Sequence, residues 1–351
     1  MTADLSRDGL RSMKPAFSFP TRSEDRGMVN LRDNENPFGG AQNRYPDNMA
    51  LGLAVRYVDA LDVVEQTRSD SGTPETLILT RGAGDALDLV FRAFFEPGKD
   101  AIAITSPTFR LFDELAAVHG LGLHRIALQG DAFDRLDVEA LCALPVKGIV
   151  LCDPNNPMGT SLHPDDVSRL LSAFKGLVLI DEAYVEYTKR RSYRHVIHSH
   201  PNLVVVRSMS KALGMAGLRL GAAFAQAPLI AAMRKVRLPF ALPRPVIEQA
   251  HAELADAKRL RAQIDAFITE RDRFAALLRG CPNIERVYAD AGFVTIRADA
   301  ALGAHLAHAG FDTVPNPMGW PGYIRISIGT PEINDRVISA LTGDVPPSTS
   351  R

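Results

Sequence analysis

A lone lysine, Lys211, follows an apolar, β-branched run (203–206) and two hydroxyl residues, Ser208 and Ser210; small residues then lead to Arg219. A packed turn has little use for a lysine unless its amine does chemistry. An amine whose pKa is lowered by its surroundings can form a Schiff base with an aldehyde. Two hydroxyls and an arginine can hold a phosphate. An aldehyde that carries a phosphate is pyridoxal 5′-phosphate (PLP). The plainer alternative is a surface lysine after a buried strand. Two further segments bear on that choice. The apolar run 178–180 ends in Asp181, with Tyr184 shortly beyond. A carboxylate at the end of a buried strand is costly unless paired. Paired with a pyridinium nitrogen it keeps the ring an electron sink, and Tyr184 could offer its hydroxyl to the ring oxygen. Asp181 could equally cap a following helix. The turn at Asn155, Asn156 and Pro157 follows another apolar run, 148–151, and presents Asn156 as a fixed amide donor. Pro-rich turns alone are common. The order of amide turn, acid and lysine is what makes the set specific.

These residues need strand ends to stand on. From 76 to 225, apolar runs alternate with amphipathic stretches. Strands are expected at 77–80, 101–104, 125–128, 148–151, 177–180, 203–206 and 220–224, and a helix over 85–95 with Leu87, Val90, Phe91 and Phe94 on one face. Continuous apolar strands between helices predict a mostly parallel sheet covered on both sides. Ligands of such sheets bind beyond the carboxyl ends of the strands, where Asn156, Asp181 and Ser208 to Lys211 all fall. Pro239, Pro243 and Pro245 mark a break. One or two long helices over 246–278 follow, then strands at 284–288 and 293–296, a helix at 300–309 and a strand at 324–328, which together predict a small α+β unit. The tail 346–351 is expected to be disordered. Gly82-Ala83-Gly84 opens like a dinucleotide fingerprint, but Leu87 stands where the third glycine belongs. The helix start still suits an anion, so the amides of Ala83 and Gly84 could hold the PLP phosphate; a turn with no ligand is the alternative.

Eight segments carry a resemblance: Asn34 to Phe38, Arg44 to Asp47, Arg81 to Asp85, Ser106 to Phe109, Asn155 to Gly159, Asp181 to Tyr184, Ser208 to Lys211 and Ile324 to Thr330. Their residues and order resemble the fold-type-I PLP aminotransferases of class I/II, and within these the histidinol-phosphate aminotransferases most. The resemblance implies an α/β fold, with a large domain on a mostly parallel seven-stranded sheet flanked by helices and a small α+β domain. It implies an N-terminal arm (1–44) packing with the small domain, a PLP-binding domain (45–240), a small domain (241–344) and a disordered tail (345–351). It assigns Lys211 to the imine and the proton shift, Asp181 to the pyridinium, Asn156 and Tyr184 to the ring oxygen, and Phe109 to the ring face. Ser208, Ser210, Arg219 and the amides of Ala83 and Gly84 would hold the phosphate. Tyr45 would reach it from a second copy, making the active site a homodimer property. Arg325 would take the α-carboxylate of glutamate or the phosphate of histidinol phosphate in a bidentate fork, with Asn36, Phe17 and Phe240 also facing substrate. Phe109 as a core aromatic, Tyr45 as a turn aromatic and Arg325 as a strand-surface residue are the plainer roles. The implied reaction is amino transfer between histidinol phosphate and 2-oxoglutarate, a step of histidine biosynthesis. The alternatives are a transaminase for another, aromatic amino acid and a PLP-dependent amino-acid phosphate decarboxylase.

The chain departs from that pattern in places. Family members often carry a second arginine shortly before the Ile324-Arg325 strand; here 313–320 has none. Phe17 and Phe240 stand where tyrosines are frequent. Arg110 or Arg244 could compensate, and Trp320 could line the pocket or pack in the core. Composition narrows the rest. The 351 residues suffice for a large and a small domain. A net charge of -1 argues against nucleic acid or an anionic membrane as partner. Cys142, Cys152 and Cys281 lie in or near apolar sequence without metal-ligand spacing and are expected as buried thiols of a reducing compartment. His195, His198 and His200 are expected on a solvated loop rather than on a metal. No stretch is long and apolar enough to span a membrane, and the first 18 residues lack a secretory signal's apolar core, which predicts a cytoplasmic protein.

Overall fold

The apolar runs of the first two-thirds become the strands of one sheet: β1 Leu77–Thr80, β2 Ala101–Ser106, β3 Gly122–Ala127, β4 Gly148–Cys152, β5 Leu177–Asp181, β6 Leu203–Ser208 and β7 Gly221–Ala225. The structure, a computed structural model, describes residues 4–14, 28–68 and 72–342. The strand order is β1-β7-β6-β5-β4-β2-β3, and β7 alone runs against the others. Strands β4 to β7 are buried along their whole length, as a sheet covered on both faces requires. Each fully buried Val, Leu or Ile there contributes roughly 1.5–3 kcal/mol. The edge strand β3 is largely solvated and starts before the expected 125–128, because its position is set by pairing with β2 rather than by an apolar run.

The helices are α1 Leu51–Val64, α2 Ala83–Phe94, α3 Leu111–Val118, α4 Val138–Ala143, α5 Pro164–Ala173, α6 Ala227–Val236, α7 Arg244–Leu254, α8 Ala257–Arg279, α9 Ala300–His308 and α10 Pro331–Thr342. Alternation along the strands splits the core. Ile78, Leu179, Val204 and Val206 pack with α2, α3 and α6 on one face; Leu79, Ile180, Leu203 and Val205 pack with α1, α5 and α7 on the other. The stretch 246–278 is two helices, because Asp256 accepts from Arg259 N and starts α8 afresh. The second sheet has the order β10-β11-β9-β8, from β8 Ile284–Tyr288, β9 Phe293–Ala298, β10 Val314–Pro315 and β11 Tyr323–Ser327. It is antiparallel and packs on α8, α9 and α10.

Three expectations are corrected here. The described start of the arm, residues 4–14, lies on the large sheet's helices and not on the small domain: Arg7 N donates to Ala93 O (3.0 Å), Arg7 pairs with Glu96, and Leu10 is buried with α2 and α6. Apolar Leu10 finds its cover there. His195 is not solvated: its side chain is buried with Nε2 2.9 Å from Glu65 Oε2. Cys142 is half-buried, while Cys152 and Cys281 are buried. Phe17 and the tail 345–351 lie outside the described residues. Among the described residues, no helix is long and apolar enough to cross a membrane.

Candidate active site

Strand β6 ends at Ser208, whose Oγ accepts from Ser210 N at 3.2 Å. The loop then folds back on itself: Met209 N donates to Leu220 O (3.1 Å) and Met215 N to Met209 O (2.9 Å). Arg219 takes a left-handed conformation (φ 55°), and its Nη1 reaches Ser210 Oγ at 3.3 Å and Ala216 O at 2.9 Å. Lys211 leaves this loop with its amine 5.7 Å from the centre of the Tyr184 ring. Lys211 is exposed overall, and partial desolvation of its amine lowers its pKa below the usual lysine value. Arg325 and Arg219 lower it further and Asp181 opposes them.

Asp181 closes β5, between Cys152 of β4 and Val206 of β6 in the register. It is buried and accepts one backbone bond, from Ala183 N at 3.0 Å. Burial pushes its carboxyl up to about 7. Glu182 adds to the rise, against the Ala183 bond and Lys211. Burial likewise raises the Tyr184 hydroxyl, helped by Cys152 and Asp181 and opposed by Arg325. The Tyr184 ring meets Phe293 edge-on at 5.3 Å.

The small sheet brings Arg325 to this place. Thr295 of β9 donates from Oγ1 to Pro157 O at 2.6 Å, and Asp290 N donates to Gly159 O at 2.7 Å, so the sheet is docked on the Asn156 turn. Arg325 sits opposite Thr295 on the neighbouring strand. Its Nη1 donates to the buried Asn156 Oδ1 at 2.7 Å, and its guanidinium lies 5.3 Å over the Phe293 ring. Phe293 is therefore a site residue that periodicity presented only as part of a strand.

The other end of the site is a backbone cradle. Helix α2 starts after Gly82 (φ 84°) without a side-chain cap, so the amides of Ala83 and Gly84 have no partner within the helix. A Cβ on Gly221 would lie 2.4 Å from Gly82 C and 2.5 Å from Ala83 N, and one on Gly82 would lie 3.0 Å from Arg219 Nη2. Both glycines keep the helix start, Arg219 and the end of β6 in close approach.

The family described as "Aminotransferase class I and II" matches residues 61–341. The chain is 34% identical over 347 residues to the histidinol-phosphate aminotransferase of Parabacteroides distasonis, covering 96% of this chain and 97% of that one. It is 34% identical over 369 residues to that of Stenotrophomonas maltophilia, covering 97% and 98%. The chain belongs to the class I and II aminotransferases. Solved aminotransferases share the fold. The histidinol-phosphate aminotransferase of Clostridium acetobutylicum superposes with a TM-score of 0.73 at 21% identity, covering 86% of this chain and 91% of that one. That of Sinorhizobium meliloti, in complex with pyridoxal-5′-phosphate, gives 0.71 at 24%, covering 92% of each.

The aminotransferase uses PLP, and the residues present fit it. The cradle that a Cβ would fill could take a phosphate from the α2 amides, Ser208, Ser210 and Arg219. Asp181, buried with a single backbone partner, is an acid in want of a cation, which a protonated ring nitrogen supplies. Phe109, half-buried in the turn just before α3 and edge-on to Phe112 at 5.9 Å, could cover the ring. Among the described residues no group of three or more His, Cys, Asp or Glu could hold a metal ion.

Within one chain the aminotransferase does not gather every expected residue. Tyr45 is half exposed and stacks on Phe240, ring centres 4.4 Å apart. Asn36 is exposed, and its Oδ1 accepts from Phe38 N at 3.0 Å in a local turn. Arg110 pairs with Glu114 on the surface at 3.0 Å, and Arg244 begins α7. Trp320 is half-buried, edge-on to Phe133 at 5.8 Å, and lines a cavity of about 610 Å³ with Arg110 and Arg125. Val314 is the cross-strand partner of Arg325, so the residue beside that guanidinium is apolar.

Proposed function

We propose that this aminotransferase exchanges an amino group between glutamate and the ketone of histidinol phosphate, in the cytoplasm and as a homodimer. The observation that carries the reading is Arg325 held on Asn156 beside Lys211, in a chain whose relatives are named histidinol-phosphate aminotransferases over their whole length. Bound PLP supplies the carbonyl carbon and the electron-withdrawing ring. The chain's residues do the rest. Lys211, its pKa lowered by partial desolvation and by two arginines, presents an amine able to give up and take back a proton at substrate carbon. Asp181 keeps the ring nitrogen protonated. Asn156 and Tyr184 hold the ring oxygen. Ser208, Ser210, Arg219 and the amides of Ala83 and Gly84 orient the phosphate, and Phe109 covers the ring. Arg325 binds the carboxylate of glutamate in one half-reaction and the phosphate of the other substrate in the next. Tyr45, exposed in a single chain, reaches the phosphate of a second copy, with Asn36 and Phe240 beside the substrate entrance.

Val314 opposite Arg325 favours a second reading. With one guanidinium instead of two, the pocket suits an amino donor with a less charged, aromatic tail. A panel of amino donors with 2-oxoglutarate decides between them. Histidinol phosphate should give the highest kcat/KM; an aromatic amino acid above it would replace the first reading by the second. Carbon dioxide release in place of glutamate formation would refute both.

A further inference from the structure

The site residues stand on strand ends, and their sequence neighbours point to the opposite face. Asp181 and Ser208 share the face of Leu179 and Val206, which packs on α2. Glu182 and Arg207, one step along, share the face of Ile180 and Val205. There they meet in a cluster of charges. The Arg207 side chain is wholly buried. Its Nη2 donates to Glu186 Oε1 at 2.8 Å, and its Nη1 to Glu65 Oε1 at 2.8 Å and Ser192 Oγ at 3.0 Å. Ser192 Oγ donates in turn to Glu182 Oε2. Arg190 continues the chain of pairs, from Glu182 Oε1 (3.2 Å) to Asp153 Oδ2 (3.2 Å).

Four members of this cluster neighbour residues of the site in sequence. Arg207 precedes Ser208 and the Lys211 loop, Glu182 follows Asp181, Glu186 follows Tyr184 closely, and Asp153 precedes the Asn156 turn. We propose that Arg207 is a positioning residue for cofactor binding, clamping the Lys211 loop to the Asp181–Tyr184 segment from behind the sheet. The inference rests on the PLP reading of the site but not on the identity of the amino donor. The register of β5 and β6 ends at Asp181 and Val206, with Glu182 N still donating to Val206 O at 2.8 Å, so the loops that follow lie past the paired strands. Charge-assisted bonds from one planar guanidinium to both sides fix their separation. A lysine keeps the charge but not the fork.

The test compares Arg207→Lys with Arg194→Lys in the full-length protein. Arg194 is equally buried and shares Glu65 with Arg207, but its carboxylate partners, Asp62 and Glu65, belong to α1 and its cap and not to the Asp181–Tyr184 side. Readouts are thermal unfolding without cofactor, PLP affinity by absorbance titration, and the split between kcat and KM for glutamate. Both variants should unfold at lower temperature. Only Arg207→Lys should lose PLP affinity and kcat, each by about tenfold or more, with KM for glutamate changed less than about threefold. PLP affinity within about threefold of the parent in Arg207→Lys, or an equal loss in Arg194→Lys, overturns the proposal. Should Arg207→Lys fail to fold, Glu186→Gln, which keeps the volume and an acceptor for Arg207, decides by the same thresholds. Affinity is read without any amino substrate, so a failed donor assignment would leave this result untouched.

Discussion

Gly221→Ala should separate cofactor binding from the rest of the fold. Gly221 lies between Thr80 of β1 and Ser208 of β6 in the sheet. The new methyl would stand 2.4 Å from Gly82 C, 2.5 Å from Ala83 N and 2.9 Å from Gly82 O. Ordinary carbon contacts need roughly 3.5–4.0 Å, so about 1 Å of movement is required, and all three atoms are backbone. Gly82 is tied by its amide to Thr80 O and by its carbonyl to Thr80 Oγ1, both at 2.9 Å, so the start of α2 must move away from Arg219 and Ser210 as a unit. Overpacking of this kind costs about 1–3 kcal/mol of stability. Losing one amide bond to the doubly charged phosphate costs a further ~1.5–3 kcal/mol of binding, or about 10- to 100-fold in PLP affinity. Urea unfolding without cofactor reads the first quantity, and absorbance titration with PLP reads the second. Gly217→Ala is the control, since nothing lies within 4 Å of its Cβ position. Affinity within about threefold of the parent for Gly221→Ala would refute the cradle, because the contact distances leave the helix start no room to stay in place.

Lys211→Ala should leave thermal unfolding without cofactor nearly unchanged and lower turnover by at least ~1,000-fold, as removal of both the imine and the proton carrier implies; full activity would dismiss that role. Arg325→Ala should raise KM for glutamate about tenfold or more, since a charge-assisted fork contributes roughly 1.5–3 kcal/mol, measured by initial rates at varied glutamate. Asp181 gives a pH signature. Its folded-state carboxyl sits at about 7 instead of 3.8, so the folded chain holds a proton that the unfolded chain has lost. Stability without cofactor therefore falls as pH rises between those values, by up to about 4 kcal/mol. Asp181→Asn should stabilise the cofactor-free protein at about pH 8 and barely at about pH 4 while lowering turnover, and equal melting shifts at both would contradict the burial argument. Co-expressed Lys211→Ala and Tyr45→Ala chains should regain activity that neither has alone, because one site of the mixed dimer is intact; no recovery would place Tyr45 outside the neighbouring site.

Much of this molecule was readable in one dimension. Strands β4 to β7 are buried on both faces and so are apolar without interruption, and that signal survives in the linear order of residues. Asp181 and Asn156 stand out for the same reason: each is a polar residue past such a run, where burial is costly without a purpose, while Lys211, exposed in the fold, stands out as a lone amine after paired hydroxyls. What sequence could not decide depended on contacts between distant segments. The edge strand β3 has no apolar signature and takes its bounds from β2. Phe293 joins the site only because Thr295 docks β9 on Pro157, and Val314 faces Arg325 only through the pairing of β10 with β11. Residues 4–14 chose the large sheet because Leu10 finds its cover there. Arg207 simply follows the apolar run 203–206, with nothing in the linear order to single it out; folded, it is the centre of a buried ionic cluster behind the candidate site. Local sequence sets which residues must be buried and at what period, whereas partners brought from far along the chain are chosen by packing, and only the folded chain supplies it.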